Sequence, residues 1–121
     1  MKSFKNIAAQ GDMMLIRIDV LPESVEPLAP DKGRFTLAHS ETGHDHIVME
    51  RPNVRVFKAM DELKALLDGK PALFLEVTDE PAELRHLRDF DTHESVKIEP
   101  GVYEVRRQRE YTPEGFRRAA D

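Results

Sequence analysis

The chain has 121 residues, a formal charge of −5 and no cysteine, a size that suits one domain spanning 1–121. Eighteen basic residues against twenty-three acidic ones argue against nucleic acid or an anionic membrane as a partner, since either needs a basic face. The lack of cysteine excludes a disulfide framework, a thiolate nucleophile and a Cys-type zinc site.

No apolar run approaches the roughly 20 residues of a membrane-spanning helix. The start, MKSFKNIAAQGD, lacks the apolar core of a signal peptide. A cytoplasmic location is therefore expected.

In chain order, Gln10-Gly11-Asp12 reads as a turn, because Gly-Asp supports tight reversal. In MMLIRIDV, Met14, Ile16, Ile18 and Val20 alternate with Leu15, Arg17 and Asp19, so period two predicts a half-buried strand over residues 13–20. Residues 21–33 hold three prolines and a glycine and read as a loop or an edge excursion. A strand is expected over residues 34–39, a turn at Ser40-Glu41-Thr42-Gly43, and a partner strand in HDHIVMER. Pro52-Asn53 is a second turn, and VRVFKAM over residues 54–60 a further strand.

Residues 61–68 read as a short helix. Asp61 suits the N-cap, Leu63, Leu66 and Leu67 share one helical face, and Gly69 suits the C-terminal cap. PALFLEVTD returns to a strand, with Leu73, Leu75 and Val77 on one side and Phe74 on the other. Residues 81–91 fit a helical turn or a strand. The segments THESVKIEP and GVYEVRRQREY meet at Pro100-Gly101, a turn signal that predicts a hairpin. Thr112 and Pro113 suit the start of a short terminal helix. Six or seven short strands with one or two short helices predict a mainly β fold, β-rich α+β, built as a small β-barrel or a two-sheet sandwich.

The chemistry concentrates in the histidines. All five lie between residues 39 and 93, three of them in HSETGHDH. On a strand, His44 and His46 project to one face, where two imidazoles can chelate a divalent metal. A third ligand from another strand would complete a site for zinc or iron. His93 and Glu94 are the expected completing ligands, with His86 behind them and His39 last. Without a metal, the same histidines would form a hydrogen-bonded or pH-sensitive ligand site. Ser40, His39 and Asp45 lie close in sequence, but no nucleophile elbow accompanies them, and no phosphate-binding glycine loop occurs. The sequence designates no catalytic residue and does not decide whether the chain is an enzyme.

The C-terminal stretch interleaves Arg106, Arg107, Arg109, Arg117 and Arg118 with Tyr103, Tyr111 and Phe116, and with Glu104, Glu110 and Glu114. This near-balanced charge favours intramolecular salt bridges. Arg106, Arg107, Arg109 and Tyr111 alternatively form a protein-binding edge.

His44-Asp45-His46-Ile47-Val48-Met49-Glu50 has the spacing His-x-His-x3-Glu, which resembles the first metal motif of cupins and implies a metal held by His44, His46 and Glu50. The second cupin motif has no counterpart, because no histidine follows Pro100-Gly101. More broadly, the order QGD, SETGHDH, THE and PGVYEVRRQREYTPE is similar to a family of small bacterial and phage-encoded proteins of unknown function.

Two functional expectations follow. One is a small β-rich protein with a histidine-centred site for a divalent metal or small ligand. The other is a non-catalytic protein–protein interaction module of phage descent, with a homo-oligomer left open.

Overall fold

The structure, a computed structural model, describes residues 2–3, 7–10, 13–39, 45–86 and 95–107. Its elements run β1 (Lys2–Ser3), β2 (Ile7–Gln10), β3 (Met13–Ile18), β4 (Val25–Pro27), β5 (Arg34–Ala38), β6 (His46–Met49), β7 (Val54–Ala59), α1 (Glu62–Leu67), β8 (Leu73–Val77), β9 (Ala82–His86), β10 (Val96–Ile98) and β11 (Gly101–Arg107). They form two sheets, one ordered β1-β10-β9-β6-β5 and the other β2-β3-β11-β8-β7-β4. Every pairing is antiparallel except β1 with β10.

The mainly β expectation holds, in its sandwich form. Among the described residues no ladder joins the two sheets, so the barrel alternative is corrected. One sheet ends on β1 and β5, the other on β2 and β4, and Pro27 at the rim of β4 cannot donate to a further strand.

Period-two alternation places the core. One sheet contributes Met13, Leu15, Val54, Val56, Leu75, Val77 and Tyr103, and the other Phe35, Leu37, Val48, Leu84, Val96 and Ile98. In β3 the face that enters this core is therefore that of Met13 and Leu15. The strand stops at Ile18, and Val20 is exposed. β4 is the edge excursion expected from the proline-rich stretch, and it pairs with β7. The ambiguous segment after Pro81 is strand β9, paired with both β6 and β10. α1 matches its expected bounds closely: the Asp61 carboxylate accepts from the Lys64 N–H at 3.0 Å, and Gly69 takes the positive φ of +71° that ends the helix. The turn at residues 40–43 and the helix from Thr112 lie outside the described residues.

The hairpin expected at Pro100-Gly101 is not formed. β10 belongs to one sheet and β11 to the other, so the chain turns a corner between layers there. Buried Tyr103 locks the corner: its hydroxyl donates to the Glu99 carbonyl four residues upstream, the contact of a tyrosine corner. Arg17, the cross-strand partner of Tyr103, donates from Nη2 to that hydroxyl at 2.9 Å and from Nη1 to the Pro100 carbonyl at 3.0 Å. Its guanidinium carbon also lies 5.0 Å from the centroid of the Tyr103 ring, within cation–π range. Gly101 leaves room for this contact, because a Cβ there would collide with the Arg17 guanidinium and displace it.

A second tie crosses the sandwich at its other end. Gln10 on β2 is buried at 7% exposure and His46 on β6 at 1%. Their side chains meet with Nδ1 of His46 2.8 Å from Oε1 of Gln10. The Gln10 amide nitrogen donates to the Leu84 carbonyl on β9 at 3.1 Å. One side chain of the six-stranded sheet thus holds two strands of the other.

Burial pushes the Tyr103 hydroxyl above its ordinary value, with the Glu99 charge adding to the rise and Arg17 opposing it. A raised folded-state value means that the unfolded chain releases this proton first. The contribution to stability is therefore intact below about pH 10 and falls as pH rises from there through the folded value. The expected result is a urea midpoint that drops above about pH 10 in the parent more steeply than in Tyr103→Phe. The phenylalanine variant should itself lose about 1–2 kcal/mol at neutral pH, and Gly101→Ala about 1–3 kcal/mol through displacement of Arg17. Gln10→Met keeps the volume but removes the partner of a buried ring nitrogen, so it should cost about 1–3 kcal/mol by denaturant titration.

Candidate functional site

The histidine end of the five-stranded sheet is built from cross-strand neighbours. Ala38 at the end of β5 pairs with His46 at the start of β6, and His46 pairs with His86 at the end of β9. The connections on either side begin and end at this row. His44 lies in the stretch between His39 and Asp45, and His93 in the stretch between His86 and Ser95. All five histidines therefore lie on this row, one residue beyond it, or in the connections that leave it.

His46 belongs to the core-facing set of β6, with Val48, which explains why its ring turns between the sheets. The Gln10 amide is oriented by its donation to Leu84, so its oxygen accepts from the Nδ1–H of His46. In the neutral ring this makes Nε2 the acceptor nitrogen. Such an outer-shell bond to Nδ1 is the arrangement that fixes tautomer and direction in ligating histidines. His39, by contrast, is exposed, and its Nδ1 lies 3.4 Å from a carboxylate oxygen of Asp45.

A cavity of about 280 Å³ opens at the same end, lined by Met13, Leu37, Leu66, Leu73 and Val105 with His39, Lys70 and Arg106. It approaches the size of ordinary ligand pockets, and its apolar floor with a few polar groups has their character. A larger groove of about 390 Å³ lies at the opposite end of the sheet, beside Met49 and Ala82. Two of its three cations are matched by carboxylates within the chain, as Arg85 pairs with Glu83 and Lys97 lies 3.3 Å from Glu99, while Arg51 donates from Nη1 to the Glu50 carbonyl.

Of the residues singled out by sequence, His46 is placed inward, and His86 directly across from it along the backbone. His44, His93, Glu94, Arg109 and Tyr111 lie outside the described residues, as do the side chains of His86 and Arg107. Among the described residues no group of three His, Asp or Glu side chains gathers as for a metal. Glu50 does not join His46. It is exposed beyond the far end of β6, where its N–H donates to the Gly33 carbonyl, and four extended residues separate the two by about 13 Å. The cupin-like spacing thus fails to converge.

Arg106 is half-buried and engaged within the chain, with Nε 3.4 Å from Glu104 and Nη1 donating to the Gly69 carbonyl at 2.9 Å. This is the intramolecular salt bridge expected from the balanced charge of that stretch. Sequence reasoning missed Gln10. The one available signal was its two-residue offset from Ala8, which puts both on the face that meets Leu15 and Met13.

No described helix is long and apolar enough to cross a membrane. No curated protein and no solved structure gives a significant match to the chain. The profile of a family described as a domain of unknown function, DUF8820, matches residues 9–108. That span reaches from β2 through β11 and takes in Gln10, His46, the cavity and the tyrosine corner, so the chain belongs to the DUF8820 family.

Proposed function

We propose that this protein holds a divalent transition metal, zinc or iron, or a small ligand at the histidine-bearing end of its sandwich. His46 carries the reading: it is buried, its tautomer is set by Gln10, and its cross-strand partner is a second histidine. A buried imidazole oriented through Nδ1 is the kind of ligand that a borderline metal such as zinc takes. His44, His93 and Glu94 supply the further donors, with His86 as the alternative, because the connections that carry them leave from the His46 row. A bound zinc or iron would supply Lewis-acid polarisation of water or a carbonyl. The chain's own part is to orient the ring and to shelter the site between apolar layers.

A second reading, a non-catalytic interaction module of bacterial or phage origin, is favoured by the leucines that α1 leaves exposed. Arg106 adds less to it, because Glu104 and Gly69 already occupy its guanidinium.

Protein prepared without a histidine tag is expected to retain about one equivalent of zinc or iron per chain. His44→Ala and His93→Ala should each weaken that binding by at least about tenfold. Retention below about a tenth of an equivalent, even after either ion is added, would remove the metal from the proposal. Nitrogen-15 spectra of the histidine rings should show the Nδ1–H form for His46. The opposite tautomer would show that Gln10 does not set the ring.

A further inference from the structure

We propose that α1 is a self-association surface that joins two copies of this chain through a two-fold, antiparallel pairing of helices centred on Leu66. The helix spans six residues and buries none of them. Leu63, Leu66 and Leu67 share one face by their i, i+3, i+4 spacing, yet they are 67%, 61% and 77% exposed, and Met60 just before the helix is 62% exposed. Single exposed leucines are ordinary, whereas a contiguous set on one face marks a contact surface.

The charges around this face indicate what covers it. Glu62, Lys64, Asp68 and Lys70 read acid, base, acid, base about Leu66, and none of the four is in an ion pair among the described residues. A two-fold axis through Leu66 exchanges position 64 with 68, so a base falls opposite an acid: Lys64 faces Asp68 of the partner subunit, while Lys70, past the end of the helix at Gly69, adds positive charge near the same edge. Self-complementarity of this kind is the requirement for an isologous dimer. Lys64 and Asp68 are four residues apart and flank the leucine face on one side, so their contact forms twice about the axis. A helix about 9 Å long makes a small interface, so the dimer is weak, dissociating at micromolar rather than nanomolar concentration.

Sedimentation equilibrium of the full chain, from low micromolar to about 1 mM, provides the test. The parent should move from monomer to dimer mass across this range. Leu66→Asp should remain monomeric. Lys64→Asp sets like charges against each other and should raise the dissociation constant about tenfold. The double variant Lys64→Asp/Asp68→Lys restores opposite charges in exchanged positions and should recover most of the parent affinity. Both changes put an acid near the helix N-terminus or a base near its C-terminus, so neither works against the helix itself. Thermal melts of each variant, matched to the parent, confirm that folding is retained. A parent that stays monomeric up to about 1 mM, a dimer indifferent to Leu66→Asp, or a double variant no tighter than Lys64→Asp would each overturn the proposal.

Discussion

The hydrogen bond between Gln10 and His46 is the constraint on which this sandwich turns at its histidine end. Two sheets packed by apolar side chains alone are held at a distance but only loosely in alignment, because hydrophobic attraction has no direction. A buried polar contact has direction, and it is costly to break because each orphaned group would lose water without replacement. Gln10 serves two partners at once, the His46 ring and the Leu84 carbonyl. It therefore fixes β2 against both β6 and β9, and with them the row in which His46 and His86 are paired. A one-residue slip of β6 would turn His46 out to the surface and break the contact, so the same bond selects the register.

The opposite end of the sandwich is governed by a different polar knot. Tyr103 donates to Glu99 and accepts from Arg17, while Arg17 also reaches Pro100. Every strong group in the corner is thus engaged, which is the condition under which buried polar clusters specify structure rather than weaken it. The two knots lie at opposite ends of β3: Arg17 is near its C-terminal end, and Met13 at its start pairs with Gln10. The apolar core between them, from Leu15 to Leu75, can then pack without setting its own alignment.

How much of this was legible follows from the range of each interaction. β3, β5, β6, β7 and β8 could be read because four to six residues of alternation suffice to show a period. β1 could not, since two residues carry no period, and the four of β2, Ile-Ala-Ala-Gln, hold no apolar–polar alternation; β4, three residues ending in proline, was legible only as an edge excursion. The α1 cap was legible for the same local reason, as Asp61 and Lys64 are three residues apart. Pro100-Gly101 announces a reversal without saying into which sheet. That choice is made by Arg17, 83 residues from Pro100 and 86 from Tyr103. Gln10 reaches 36 residues to His46 and 74 to Leu84, and no local pattern marks such a partner. The histidine cluster was legible as composition, but the inward turn of His46 depended on Gln10.

α1 borders both the cavity at the histidine end and the exposed leucine face. It is inserted between β7 and β8, which are direct neighbours in the sheet, so the fold does not need a helix there to connect them. A shorter turn would have served, and would not have left three leucines facing solvent. What the insertion does supply is Leu66, which lines the cavity at the histidine end and is also the centre of the self-complementary face. If the cavity takes a ligand and α1 pairs as proposed, the shared Leu66 would couple the two events, each altering the other by the same factor. The helix is short, buries no residue and is held at its ends by the Asp61 cap and by Arg106 on the Gly69 carbonyl, so moving it costs less than moving the buried strands that flank it. In this sandwich the polar knots supply alignment, and the one element left free of the core is where a response to binding can be expressed.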